Sequence, residues 1–176
     1  NLGLADCMNG LAEIHRAMGN MANAEEAYIA SESAFKRAGV TTAIVPLLNR
    51  GLLHLEREQF AAASELLEEA QDSIATSHWT GLMPFVHAGL LEIAAAQAAW
   101  EQWDTHEDAL RASLEHTPMA ERDLAAPLER AGDLAQLEGQ HERAQRAWTV
   151  AKEQWDALGD HERSERIDRR LNKTST

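Results

Sequence analysis

Eight histidines are the first residues of this 176-residue chain whose chemistry has to be considered. A zinc site on a helix needs two histidines four residues apart, as in His-Glu-x-x-His, so that both rings project from one face. Three His-Glu pairs lack that second histidine: His106-Glu107, His141-Glu142 and His161-Glu162. His15 and His54 fall at equivalent places of a repeat, which favours packing in a core. The sequence therefore predicts no metal site.

The other reactive side chains do not form a catalytic set. General acid–base catalysis needs two carboxylates in a shaped pocket, whereas the acids here recur at the spacing of solvated helix faces. Cys7, the only cysteine, has His15 eight residues on and no third group to orient the pair. The sequence contains no glycine-rich phosphate loop and none of the protein-kinase signatures. We therefore predict that this chain is not an enzyme and holds no cofactor.

Composition and charge narrow the class of partner. The chain is 44% hydrophobic and rich in residues that favour helices, which predicts a helical protein with a core. Its net charge of −13 argues against binding to nucleic acid or to an anionic membrane surface. The apolar runs are shorter than the ~18 residues of a membrane span. We expect a cytoplasmic protein that binds protein or peptide rather than nucleic acid or membrane.

An internal repeat positions these residues. When the sequence is aligned with a shifted copy of itself, Gly51 aligns with Gly132. Ala24 and Ala144 each begin the same apolar stripe, which continues at the third, fourth, eleventh and fourteenth positions after the alanine and describes one face of a helix. A glycine follows each stripe, where a helix commonly ends. Alternation of period two is absent, so the sequence predicts helices and no strands.

The repeat predicts four helix pairs and one final helix. The pairs are Leu4–Met18 with Met21–Ala38, Thr42–Arg57 with Phe60–Ala75, Met83–Gln102 with Thr105–His116, and Ala126–Glu138 with Glu142–Leu158. The final helix, 161–171, caps the pairs, so residues 1–171 form one repeat domain and 172–176 form a frayed tail. Because the chain begins inside a helix and without methionine, we expect that it was cut from a longer protein.

Small residues mark where the two helices of a pair cross closely. Ala12, Gly51 and Gly132 share one position in the first helices, called A helices below. The equivalent position in the second helices, the B helices, falls on Ala24, Ala63, Ala109 and Ala144. The third pair departs from the others, since the interval from Ala63 to Ala109 is longer than the intervals on either side.

Gly132-Asp-Leu-Ala-Gln-Leu-Glu-Gly139, followed by Ala144, Trp148 and Ala151, resembles the tetratricopeptide repeat (TPR) pattern. The resemblance implies an all-α, right-handed α-α superhelix of about four helix pairs plus a C-terminal capping helix. It also implies a scaffold for protein–protein interaction, with the A helices lining a concave surface.

Three further segments resemble the C-terminal repeat regions of bacterial Ser/Thr protein kinases. They are Asn49-Arg-Gly-Leu-Leu-His-Leu-Glu-Arg57, Trp100-Glu-Gln-Trp-Asp104 and Lys152-Glu-Gln-Trp-Asp-Ala-Leu-Gly159. This resemblance implies a larger bacterial signalling protein with a kinase domain upstream of this chain.

The family's inward-facing A-helix positions imply the partner-binding residues. They are Asn9, Glu13, Arg16, Leu48, Asn49, Leu52, Glu129, Arg130 and Asp133, with Asp6 and Val45 at further inward positions. An apolar floor flanked by acids would suit a partly basic, amphipathic peptide or helix. The alternative is a structural cap or self-association module, such as a homodimer, whose groove is filled by the chain's own side chains or terminus.

Two groups of residues in the sequence each allow two interpretations. Trp148 and Trp155 fit the buried stripe, whereas Trp100 and Trp103 either pack in the core or anchor a partner. The basic cluster near the end of the chain either complements a helix dipole or forms a small docking patch. This cluster consists of Arg163, Arg166, Arg169, Arg170 and Lys173.

Overall fold

The computed structural model describes residues 2–40, 43–77, 79–116 and 118–174, and its regular elements within those ranges are all helical. The α-helices are α1 (Leu2–Ala17), α2 (Met21–Arg37), α3 (Ile44–Glu56), α4 (Phe60–Ala75), α5 (Met83–Ala96), α6 (Trp100–His116), α7 (Arg122–Leu137), α8 (His141–Ala157) and α9 (His161–Thr174). One 3-10 turn, Thr80–Leu82, precedes α5. The prediction of an all-α protein is confirmed.

Several helix bounds differ from the predicted ones. α5 ends at Ala96 and α6 begins at Trp100, although the sequence predicts a helix that continues to residue 102. α7 begins at Arg122, four residues earlier than predicted. α9 continues to Thr174, so residues 172–174 belong to the helix rather than to a tail. The predicted start of a helix at Thr42 lies outside the described residues.

The turns from A helix to B helix share one backbone feature, a residue in the left-handed region. These residues are Gly19 (φ 77°), Glu58 (φ 55°), Ala98 (φ 52°) and Gly139 (φ 73°). They recur at nearly even intervals along the sequence. Two of the four turns lack glycine, the residue that favours this conformation. The sequence-based prediction extended the fifth helix through the turn at Ala98, because no glycine stands there to indicate the end of a helix.

The even spacing of the turns corrects the register of the third pair. The backbone N–H of Ala24, Ala63 and Ala144 each bonds to the carbonyl of the residue just before its B helix. In α6 the N–H of Trp103 makes this bond, to the carbonyl of Ala99. Trp103 therefore occupies the position that the sequence assigned to Ala109, and the third repeat has nearly the same length as the others.

The chain divides into two compact units, and the first comprises residues 1–80. Within it α1 packs on α2, α3 packs on α4, and α2 also contacts α3. Small side chains of α1 and α2 surround the buried ring of Tyr28, with Leu53 beside them. Gly51 allows Leu67 of α4 to approach α3 closely, since a Cβ at Gly51 would lie 2.8 Å from Leu67 Cδ2.

The second unit comprises residues 81–176. α5 packs on α6 and α7, α7 packs on α8, and α8 packs on α9. Its core contains the buried rings of Trp103, Trp148 and Trp155, with Ile167 of α9. The prediction that Trp148 and Trp155 lie in the core is confirmed. Trp103 is also fully buried, whereas Trp100 is half-buried against the same cluster.

Candidate functional site

The polar residues among the predicted binding residues of the first unit bond to each other and to their neighbours. Arg16 Nη2 lies 2.8 Å from Glu56 Oε1, and Asn49 Nδ2 donates to Asn9 Oδ1 at 3.4 Å. Both pairs join α1 to α3 across 40 residues of sequence. A polar row on the A helices therefore connects one repeat to the next.

Glu13, another predicted binding residue, accepts a hydrogen bond from the hydroxyl of Tyr28. Burial, followed by the Glu13 carboxylate, raises the pKa of Tyr28 well above its usual value. Tyr28 therefore stays protonated and continues to donate. Glu13 is consequently a partner of the B helix of its own pair.

Four of the predicted binding residues are buried. Leu48 and Leu52 are 3% and 2% exposed, and Arg16 and Glu129 are 9% and 6% exposed. The two leucines belong to the core, and Arg16 and Glu129 each form ion pairs with other residues of the chain. A partner therefore cannot reach these four side chains as they are placed here.

In the second unit, Arg130 neutralises a buried carboxylate. Its Nε and Nη2 atoms lie 2.7 and 2.8 Å from the two oxygens of Glu92, which is only 1% exposed. A bidentate guanidinium is the partner that makes burial of a carboxylate tolerable. Arg130 thus joins α7 to α5, although the sequence assigned it to partner binding.

Glu129 accepts hydrogen bonds from α8 and α9. Trp155 Nε1 donates to it at 3.1 Å, Arg163 Nη1 at 3.3 Å and Arg170 Nη1 at 2.9 Å. The guanidinium of Arg163 also lies over the Trp155 ring, 4.6 Å from its centroid. We call Glu129 with Trp155 the first arginine socket.

Asp133, one helical turn further along α7, forms a second arginine socket with Trp148. Trp148 Nε1 donates to Asp133 Oδ1 at 3.0 Å, and Arg170 Nη2 lies 3.2 Å from Asp133 Oδ2. The same guanidinium lies 5.9 Å from the Trp148 centroid. Burial raises the pKa of Asp133, and Arg170 opposes that shift. Two members of the basic cluster therefore hold α9 against α7 and α8.

Each unit also contains an apolar cavity. In the second unit, a cavity of about 350 Å³ lies between α6 and α8 and is floored by Trp103 and Leu128. Trp103 Nε1 donates to Glu107 at 3.0 Å, and Arg146 holds the Glu107 oxygens at 2.5 and 2.8 Å. A charge pair therefore borders this α6/α8 cavity, whose volume would admit a large side chain.

In the first unit, a cavity of about 330 Å³ lies beside the N-terminal ends of α1 and α3. Phe35, Ile44 and Pro46 contribute apolar surface, and Asp6 supplies the charged side chain of the lining. Asn9, a predicted binding residue, also lines this α1/α3 cavity. The remaining lining residues are Leu2, Val40, Ala43, Val45 and Trp79, whose indole is 59% exposed.

One pair of histidines was not anticipated. His87 of α5 and His106 of α6 lie with their Nδ1 atoms 3.4 Å apart. Burial, and then His106, lowers the pKa of His87 to about 4, so His87 is neutral at physiological pH. Sequence reasoning missed the pair because its members lie on different helices. Among the described residues no group of three or more His, Cys, Asp or Glu side chains is placed to hold a metal ion.

One sequence signal would have found many of these contacts. Opposite charges that pair in the structure recur about one repeat apart, at intervals of 38 to 41 residues. These pairs are Arg16–Glu56, Glu92–Arg130, Asp104–Arg143, Glu107–Arg146 and Glu129–Arg170. Each joins an A helix to the next A helix, a B helix to the next B helix, or α7 to α9.

No protein-family model matches this sequence, and comparison with curated proteins gave no significant match. Within the described ranges, no helix has both the length and the apolar character needed to cross a membrane.

Proposed function

We propose that this chain is a TPR-type repeat module that binds a peptide or helix of another protein. The support is the regular recurrence of left-handed turns, together with polar pairs that join equivalent helices one repeat apart. Repeats that contact mainly their neighbours are typical of solenoid proteins, which bind partners along an extended surface. We further propose a right-handed superhelix of four pairs capped by α9.

The proposed setting is the C-terminal repeat region of a larger bacterial signalling protein, with a Ser/Thr kinase domain elsewhere in that protein and a cytoplasmic location. The resemblance of the Trp100–Asp104 and Lys152–Gly159 segments to such regions supports this setting. In this proposal the chain recruits a substrate or regulator and performs no chemistry itself.

The α1/α3 cavity is the proposed binding site, and it carries the proposal because it lies on A helices. Its apolar walls suit one aliphatic or aromatic side chain, and Asp6 at its border suits a neighbouring lysine or arginine. The net charge of −13 also favours a basic partner. The proposed ligand is a partly basic, amphipathic peptide.

Capture from a cell lysate followed by peptide binding would test this proposal. The immobilised chain, Asp6→Lys and Trp79→Ala are compared with Asp108→Lys, whose exposed carboxylate lies on α6, in the second unit. Overlapping peptides of any captured protein are then measured by fluorescence anisotropy. We expect a captured peptide to bind the chain and Asp108→Lys alike and to bind the two cavity variants at least tenfold more weakly.

Equal binding to all four baits would refute the α1/α3 cavity as the site. The absence of any specifically captured protein would favour the alternative, a structural cap or self-association module. One observation favours that alternative for the second unit, because α9 covers Glu129 and pairs with Asp133 on the predicted binding face.

A further inference from the structure

The helix α9 is attached to the second unit mainly through polar contacts. Of its residues 161–173, only Ser164 and Ile167 are buried. Besides the two arginine sockets and Ile167, the partly buried Leu171 packs against the same core, and Lys152 Nζ lies 3.7 Å from Asp168 Oδ2. Because Ile167 and Leu171 are the only aliphatic residues of α9, the helix has little apolar surface to hold it in place once these partly buried ion pairs break.

The spacing of these three contacts constitutes a recognition pattern. Arg163, Ile167 and Arg170 stand at positions i, i+4 and i+7, which place them on one face of a helix. Each arginine meets a carboxylate of α7 and an indole of α8. A guanidinium that pairs with a carboxylate and stacks on an indole is recognised by shape as well as by charge, and lysine does not replace it.

We propose that the surface of α7 and α8 beneath α9 is a docking site for a helix of another protein. The helix that fits carries two arginines seven residues apart and an aliphatic residue four positions after the first. In this proposal α9 is the chain's own occupant of the site and has to leave before the partner binds. The site lies in the second unit, so the proposal is independent of peptide binding at the α1/α3 cavity.

Charge complementarity selects a basic helix as the occupant. The sockets present the carboxylates of Glu129 and Asp133, and α9 itself carries more basic than acidic residues. A foreign helix that keeps both arginines and has more apolar residues beside them gains contact area that α9 does not supply.

The displacement of α9 is physically accessible. Arg163 and Arg170 keep 34% and 28% of their side-chain surface exposed, so water can replace their ion pairs as they leave. The connection from α8 to α9 turns at Gly159, whose φ of 75° suits glycine. Rotation at Gly159 would break the hydrogen bond from the Asp160 N–H to the Trp155 carbonyl and would move α9 without unfolding α8.

A labelled peptide of residues 160–174 provides a probe of the emptied site. The full chain with Arg163→Ala and Arg170→Ala has a weakened α9 and intact sockets. By fluorescence anisotropy, we expect the peptide to bind this opened chain at least tenfold more tightly than the unaltered chain, where α9 competes. Far-UV circular dichroism would verify that both chains are equally helical.

Two matched peptides test whether the arginines are read individually. One carries Arg163→Ala and Arg170→Ala, and the other, of equal net charge, carries Arg166→Ala and Arg169→Ala. We expect at least a tenfold loss of binding to the opened chain for the first peptide and less than a threefold loss for the second. Equal losses would mean that only bulk charge is sensed and would overturn the proposal.

Further variants keep the test decisive if the opened chain is partly unfolded. An Arg170→Ala chain leaves one socket filled and should show an intermediate affinity, and adding Glu129→Gln to it should abolish peptide binding. A folded opened chain that fails to bind the peptide would overturn the proposal. Sedimentation that shows dimers formed through exchange of α9 would assign the site to a second copy and would likewise overturn it.

Discussion

Gly51 and Gly132 occupy the same position in two repeats, yet alanine at each should affect stability differently. Replacing glycine by alanine within a helix stabilises it by about 1 kcal/mol when the new methyl group has room. At Gly132 a Cβ would lie 2.5 Å from Trp148 Nε1 and closer still to Cδ1. At Gly51 it would lie 2.8 Å from the Cδ2 and 2.9 Å from the Cγ of Leu67. The expected difference in stability depends on which side chain has to move to make room for the new methyl group.

The Trp148 ring has little freedom to move, because it is planar, buried and bonded to Asp133. Overpacking of a core costs about 1–3 kcal/mol, and a rigid ring at this distance belongs at the upper end of that range. After subtraction of the helical gain, Gly132→Ala should lower the free energy of unfolding by about 2 kcal/mol. Leu67 is also buried, but it is a smaller aliphatic side chain with no hydrogen bond to lose, so Gly51→Ala should cost less, with a net change of about 0–1 kcal/mol.

Gly10 provides the matched control, because a Cβ there would meet no atom within 4 Å. Gly10→Ala should stabilise the chain by about 1 kcal/mol. Urea unfolding followed by circular dichroism at 222 nm would measure all three variants, and tryptophan fluorescence would follow mainly the second unit, which contains four of the five tryptophans. A Gly132→Ala chain as stable as Gly51→Ala would refute the reasoning from close contact.

The histidine pair and the buried carboxylate give two further predictions. The pKa of His87 is lowered to about 4 from 6.5, so an unfolded chain takes up this proton first as the pH falls. The stability that neutral His87 contributes is thus complete above pH 6.5 and is lost between pH 6.5 and 4, by about 3 kcal/mol. In urea titrations across this range, His87→Leu should remove that part of the pH dependence, whereas His116→Leu, at an exposed position, should retain it. Arg130→Ala should destabilise the chain by about 3 kcal/mol, because the buried Glu92 loses its guanidinium partner. Glu92→Ala should cost less, because Arg130 can reach water. Equal losses of unfolding free energy in denaturant titrations would contradict this asymmetry.

Much of the fold follows from local sequence patterns. Apolar residues at helical spacing predicted the helices, and the A and B stripes predicted that Trp148 and Trp155 would be buried. These features depend on residues within one or two helical turns of each other, so the local sequence is sufficient to predict them. The register of the third pair was wrong because Ala98, not glycine, makes its left-handed turn. The intrinsic preference of a single residue was overridden there by the packing of the helices on either side.

The candidate site was less predictable, since exposure is a property of the assembled helices. Family positions placed Glu129 and Arg130 on a binding face, whereas the structure pairs them with Arg163, Arg170 and Glu92. The same residue types would have been equally compatible with a solvated groove.

The sequence alone determined that this protein is helical, acidic and built from pairs of helices, because those properties arise from composition and short-range periodicity. The tertiary structure decided which charged side chains remain exposed to a partner and which form ion pairs within the chain. An arginine and a carboxylate one repeat apart in sequence attract each other appreciably only after their helices have packed within a few ångströms, since water screens them at any greater distance.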